Sequence, residues 1–159
     1  MPTYVSPKNI DLVTRRGIFT ETEFRARYTI HLEAYNKIIG IEARTMMDMA
    51  LHQILPASIA YSRSLCDSVA AKKELNLSAK AETALAARLT AAEDALYDHV
   101  ETLRFSLEAV PKEPAAAADY YHDVVIPAMA DLRREADILE SLTDKSYWPY
   151  PTYSDLLFY

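Results

Sequence analysis

Glycine is what this chain does without. Gly17 and Gly40 are the only two in 159 residues, and none follows Gly40. Glycine normally makes up about 7% of a protein. Tight hairpin turns depend on residues that accept a positive φ, glycine above all. A sheet-rich protein of this length needs many such turns, whereas long helices with few connections need almost none. The shortage therefore points to an all-α fold. Half the residues are apolar and a quarter are charged, the balance of a globular chain rather than a disordered one. The length suits one domain with its own core.

Apolar spacing locates the helices. "TETEF" reads as a helix start, with Thr20 as the cap and Glu23 reaching back from three residues later. Phe24, Tyr28, Leu32, Tyr35 and Ile39 then share one face. Gly40 either breaks or kinks the helix, and the residues leave that choice open. A second stretch runs over about 41–73. Pro56 removes a backbone donor there, which predicts a kink near Leu55. "ELNLS", 74–78, reads as a connection with Ser78 as the next cap. The third helix, about 79–109, has the clearest seam: Leu85, Leu89, Ala92, Leu96, Val100, Leu103 and Leu107, spaced four and three. "VPKEP" ends it. The fourth, about 115–143, carries Tyr121, Val125, Ala128, Leu132, Ala136, Leu139 and Leu142, and an internal Pro127. "ILPASIAY" and "VIPAMADL" are alike, and paired kinks holding two antiparallel helices in contact are the simplest account of the likeness.

The expected architecture is an elongated antiparallel bundle of three to four long helices with an aromatic C-terminal tail. Residues 1–19 read as an irregular lead-in, 20–146 as the bundle and 147–159 as the tail. Each helix is expected to bury one apolar stripe. Burying a Leu or Phe contributes about 1.5–3 kcal/mol, against about 1 for a cap, so packing should dominate.

Charge and composition exclude several functions. The net charge of −6 argues against a nucleic-acid backbone as main partner. Residues 1–73 hold ten Lys and Arg against seven Asp and Glu, or +3; residues 74–159 hold seven against sixteen, or −9. No apolar run approaches the ~18 residues of a membrane span. No signal peptide is read at the N-terminus, so the cytoplasm is the default location. The lone Cys66 is expected to be a small buried residue. His31, His52, His99 and His122 stand outside any Glu-x-x-His pattern of a carboxylate-bridged metal bundle. Asp48 with His52 and Asp119 with His122 read as surface or hydrogen-bonded pairs. Arg15, Arg16, Arg25 and Arg27 read as solvated helix charges, and Met46, Met47 and Met49 as adaptable core. No glycine loop for phosphate and no nucleophile motif occurs. No catalytic, cofactor-binding or metal residue is assigned.

The tail, "SYWPYPTYSDLLFY", is the candidate interaction element. Pro149 and Pro151 keep its start extended, and a final turn over Tyr153, Leu156, Leu157 and Phe158 is expected. It either folds back and staples the bundle or docks on another domain or subunit through Trp148 and Tyr150, types favoured as anchors. Composition leaves both open.

Three stretches, "GIFTETEFRARY", "YNKIIGIEARTMMDMALHQILPASIAY" and "YYHDVVIPAMADLRREADILESLTDKSYWPYPTYSDLLFY", resemble the C-terminal region of type III glutamine synthetases. The pair "VIPAMADLR" and "WPYPTYSDLLF" is the most specific. Gly40 departs from the pattern, where the resemblance implies asparagine or a similar polar residue. The resemblance implies a non-catalytic helical domain with a structural or assembly role. Its parent would ligate ammonia to glutamate with ATP and a divalent metal, Mg or Mn, bound upstream of this region. It also implies contact with the parent's catalytic region and with neighbouring subunits in a ring. A free-standing helical module for protein–protein interaction is the alternative.

Overall fold

The computed structural model describes residues 3–151 and 153–157, with the backbone alone for Tyr153 and Ser154. Among these residues the fold is all helical: α1 (Pro7–Arg15), α2 (Glu21–Met49), α3 (Leu55–Glu74), α4 (Lys80–Glu108), α5 (Pro114–Tyr120), α6 (Ile126–Leu142) and α7 (Tyr153–Leu157). Two π turns, Ala50–Ile54 and Tyr121–Val125, join α2 to α3 and α5 to α6 without a break. The first of these composites is one rod over residues 21–74, roughly 80 Å long at about 1.5 Å per residue. The accessible area, 10493 Å², exceeds the roughly 8000 Å² of a compact monomer of this mass, as an extended shape requires.

Both π turns stand just before a proline. The N–H of Leu55 bonds the carbonyl of Ala50, and that of Ile126 bonds the carbonyl of Tyr121, five residues back in each case. Widening the ladder by one residue makes room ahead of Pro56 and Pro127, which have no N–H to give. The disturbance expected at each proline is therefore a π turn, and the helix continues. The two proline-bearing rods run parallel, not antiparallel. Asn36 Nδ2 donates to the Pro114 carbonyl at 3.0 Å, Gly40 faces Tyr121, and the Tyr61 ring meets Tyr147, so both sequences ascend together. The antiparallel partner of each is α4, which lies between them in sequence and packs on α3 and α6.

Helix α2 passes straight through Gly40, so neither a break nor a C-terminal cap forms there. A Cβ at this position would stand 2.8 Å from the Tyr121 hydroxyl; glycine is what lets the second rod approach. The capping box is present: the Glu23 N–H donates to Thr20 Oγ1 at 3.2 Å, and the Thr20 N–H to Glu23 Oε2 at 2.8 Å. The Thr20 N–H first, and then the Thr20 hydroxyl, which also donates to Glu23 Oε2 at 2.8 Å, hold the Glu23 carboxyl below its ordinary value.

The expected core is largely where spacing put it. Leu89, Leu96, Val100 and Leu103 of α4 are fully buried with Val125, Leu132 and Leu139 of the second rod. Four readings need correction. The lead-in contains α1, started by Pro7 at the first turn and closed at Gly17 (φ 65°) by bonds from Gly17 to Thr14 and from Ile18 to Val13. Ser78 caps nothing: Ala79 holds the cap position, and the α3–α4 connection is made by Asn76 (φ 55°), with Leu77 N–H bonded to the Lys72 carbonyl and Asn76 N–H to that of Lys73. Cys66 is exposed, because α3 turns Ser58 and Ser62 inward and leaves Cys66 outside. Finally, α2 carries a second apolar row, Ile30, Ile38 and Ile41, on its solvent side.

Candidate functional site

The π turn at Ala50–Ile54 and the tail together shape one groove. Its floor is Met46, Met49, Ala50 and Ile54 from the first rod and Met129, Leu132 and Ala136 from α6. Its roof is Trp148, Tyr150, Pro151 and Leu156 from the tail. Glu42 and Thr45 stand on one rim and Arg133, Asp137 and Glu140 on the other, and the space amounts to about 660 Å³. The rod stays helical past Pro56 only because of the π turn, so Ala50 and Ile54 reach the groove through it. A π turn beside a groove is a recurring setting for function.

The tail reaches its place through a turn built by Asp144. Thr143 leaves the helix in extended conformation. Asp144 Oδ1 accepts from the Ser146 hydroxyl and from its N–H, and the Asp144 carbonyl accepts from the Tyr147 and Trp148 N–H groups. The Ser146 hydroxyl first, then its N–H, holds the Asp144 carboxyl below its usual range. The chain then runs back down the rods. Tyr147 lies 5.3 Å from the Tyr61 ring, and Trp148 meets Tyr150 edge-on at 6.3 Å. Both Trp148 and Tyr150 pack on the central core. Lys145 pairs with Asp155, holding α7 to the turn.

Of the six tail residues singled out by sequence, Trp148 and Tyr150 are half-buried over the core, while Leu156 borders the groove and Leu157 faces solvent. The Tyr153 side chain and Phe158 lie outside the described residues. The Tyr150 hydroxyl is buried with no hydrogen-bond partner among the described residues. Burial, and then the charge of Asp48, push its phenol up. Sequence reasoning missed the α6 side of the groove. Met129, Arg133 and Asp137 recur at a spacing of four, but which residues of the first rod they face depends on a register fixed by the two π turns.

The remaining titratable candidates are paired locally. Asp48 and His52 make an exposed pair at 3.5 Å. His122 pairs with Asp123 at 2.6 Å, not with Asp119, since it lies within the second π turn. Arg15 meets Asp11, Arg25 meets Glu21, and Arg27 lies over the Phe19 ring. Among the described residues no three His, Cys, Asp or Glu converge as metal ligands. Also among them, no helix is long and apolar enough to cross a membrane. The groove lining is methionine, branched aliphatic and aromatic carbon with charge at the rim, the surface chemistry of packing rather than of proton or group transfer.

Known proteins align with most of this sequence. The family model "Glutamine synthetase C-terminal domain" matches residues 1–73. A glutamine synthetase of Butyrivibrio fibrisolvens is 34% identical over 99% of this chain and 23% of its own length. A type-3 glutamine synthetase of Dictyostelium discoideum is 30% identical over 96% of this chain and 22% of its own. A glutamine synthetase of Bacteroides fragilis is 28% identical over 89% and 20%. The chain thus spans under a quarter of the length of these relatives. The first rod therefore carries the pattern of the glutamine synthetase C-terminal domain, and nearly the whole chain is similar to one segment of glutamine synthetases, a type-3 enzyme among them.

Proposed function

We propose that this chain is the non-catalytic C-terminal helical domain of a type III glutamine synthetase and serves that enzyme structurally. One observation carries the reading: nearly the whole chain aligns with a segment under a quarter of each relative's length. The unit aligned is a domain. In the parent, ammonia is joined to glutamate with ATP and a divalent cation, Mg or Mn, at a site formed by the upstream part of the polypeptide. The domain would contact that catalytic region and neighbouring subunits, in the cytoplasm. Its own surfaces suit such contacts, since aromatic and methionine side chains are the anchors preferred in protein interfaces.

The reading frame upstream of Met1 tests this directly. A continuous frame of several hundred codons, yielding a single long polypeptide on immunoblots against this domain, is the expected result. A promoter and start at Met1, with only the 159-residue product in cells, would replace this reading by a free-standing interaction module.

A further inference from the structure

The middle of α2 has two apolar faces and one set of neighbours. Leu32 and Ala43 are buried, and Tyr35 and Ile39 pack against the core. On the other side stand Ile30, Ile38 and Ile41, which are 61%, 54% and 52% exposed; Ile41 also borders the tail's groove. With Ala34 and Thr45, also exposed, they are spaced four, four, three and four. At 100° per residue these five positions fall within about 80° of one another. A single exposed isoleucine is ordinary. A row at helical spacing is a packing seam. Glu33 and Lys37 flank it on one side and Glu42 on the other, while the Arg44 guanidinium turns back onto the Gly40 carbonyl. From Ile30 to Ile41 the row covers about 16 Å of helix.

The course of the chain says what arrives there. Tyr4 stacks on Phe24 at 4.8 Å and on Tyr28 at 5.7 Å, and meets His31 edge-on at 6.0 Å. Residue 4 is therefore fastened to α2 over residues 24–31, beside the Ile30 end of the row. Polypeptide preceding the described residues starts from that point, and at about 3.3–3.6 Å per extended residue about five residues span the row. The relatives have more than three quarters of their length outside the aligned segment.

We propose that Ile30, Ile38 and Ile41 seat the polypeptide that precedes residue 1 in the parent synthetase, which lays an apolar, helix-spaced face along α2. This rests on the reading of the chain as a synthetase domain.

Cysteine footprinting tests it. Exposed Cys66 is first replaced, Cys66→Ser, and Ile38→Cys is introduced, both in the 159-residue chain and in the full-length synthetase that carries it. Maleimide labelling of the peptide containing residue 38 is followed by mass spectrometry. At least a tenfold slower labelling in the full-length enzyme than in the chain alone is expected, with the melting temperature of the chain unchanged by the substitutions. Equal rates would overturn this surface while leaving the domain reading intact. Slow labelling of the chain alone, with a dimer in sedimentation that Ile41→Lys abolishes, would give the row to a second copy and also overturn it. If no upstream reading frame exists, the domain reading itself fails, and this proposal with it.

Discussion

Both ends of the chain fold back on the first rod with aromatic side chains, yet they rest on different foundations. At the N-terminal end, Tyr4 and Phe19 lean on Phe24, with Tyr28 and His31 beside them and Arg27 over the Phe19 ring. All of these partners belong to α2 alone. At the C-terminal end, Trp148 and Tyr150 lie in a groove between two rods and pack on the continuous core, while Tyr147 meets Tyr61. An aromatic ring set against one helix stays half wet; one set between two closes over a core already dry. The same residue types should thus support global stability at one end and only local order at the other.

The largest effect expected is at the tail. Trp148→Ala removes a large, half-buried ring from the groove roof, and should cost about 2–3 kcal/mol, somewhat less than for a fully buried Trp. For a domain of this size that lowers Tm by roughly 5–10 °C, measured by circular dichroism. Deleting residues 147–159 should lower it at least as far. A truncated chain that melts with the parent would mean that the tail rests on the bundle without supporting it.

Next comes the joint between the two regions, Gly40 against Tyr121. In a helix interior, alanine is favoured over glycine by about 1 kcal/mol. Here the added Cβ stands 2.8 Å from the Tyr121 hydroxyl and 3.3 Å from an Arg44 guanidinium nitrogen, and overpacking a buried contact costs about 1–3 kcal/mol. Gly40→Ala should therefore be neutral to destabilising by about 2 kcal/mol. With Tyr121→Phe the hydroxyl is gone, and the same alanine should stabilise. A double-mutant cycle in urea reads this coupling. Additive effects would show that α5 yields freely and that glycine is not what sets the approach of the rods.

Much of this frame was legible beforehand, for reasons that differ by residue. The seam from Leu85 to Leu107 could be read because a spacing of four and three has one meaning in a helix. Thr20 and Glu23 were legible because a capping box is local. The π turns were half legible: proline announces a missing donor, but not that Leu55 and Ile126 will bond five residues back. Helix α1 was signalled by Pro7 and Gly17, a start and a stop, but nine residues are too few for periodicity to speak. Gly40 reads as a breaker until Tyr121 is known to lie over it. The groove was the least legible part. Met46 and Met49 look like core from spacing, and only the tail's return over them leaves the space between.

The packed region also holds a flaw of its own. Glu93 on α4 is 8% exposed, and its Oε1 has no partner among the described residues. Burial pushes its carboxyl up and the charge of Asp94 adds to the shift; a hydrogen bond from Ser58 opposes it only when that hydroxyl turns away from the Leu55 carbonyl. The single Ser58 hydroxyl proton is already directed at the Leu55 carbonyl, so a protonated Glu93 donating to Ser58 Oγ satisfies both. A raised folded-state pKa means the unfolded chain loses this proton first. The contribution is fully present below the ordinary value of 4.5 and is lost as pH rises through the raised value. Glu93→Gln should then stabilise by about 1 kcal/mol at pH 7–8, and by much less at pH 4. Equal gains at both pH values would show that Glu93 is charged and solvated in the fold.

The smallest global effect should come from Tyr4→Ala. Its contacts with Phe24 and Tyr28 are offset stacks worth about 0.5–1.5 kcal/mol beyond burial, and they lie outside the central core. Losing them should shift the global Tm by no more than about 2 °C, because the α1 arm opens without unfolding α4 or α6. The effect should be visible in hydrogen exchange. Amides of α1 and of residues 17–19 should exchange faster in the variant, while those of Leu89, Leu96 and Leu103 keep the rate set by global unfolding. If Tyr4→Ala lowers Tm as much as Trp148→Ala, or exchange at Leu96 rises with that of α1, the arm and the bundle unfold together. The two ends of the molecule would then differ in appearance only, and the row of isoleucines between them would belong to the same cooperative unit as the core.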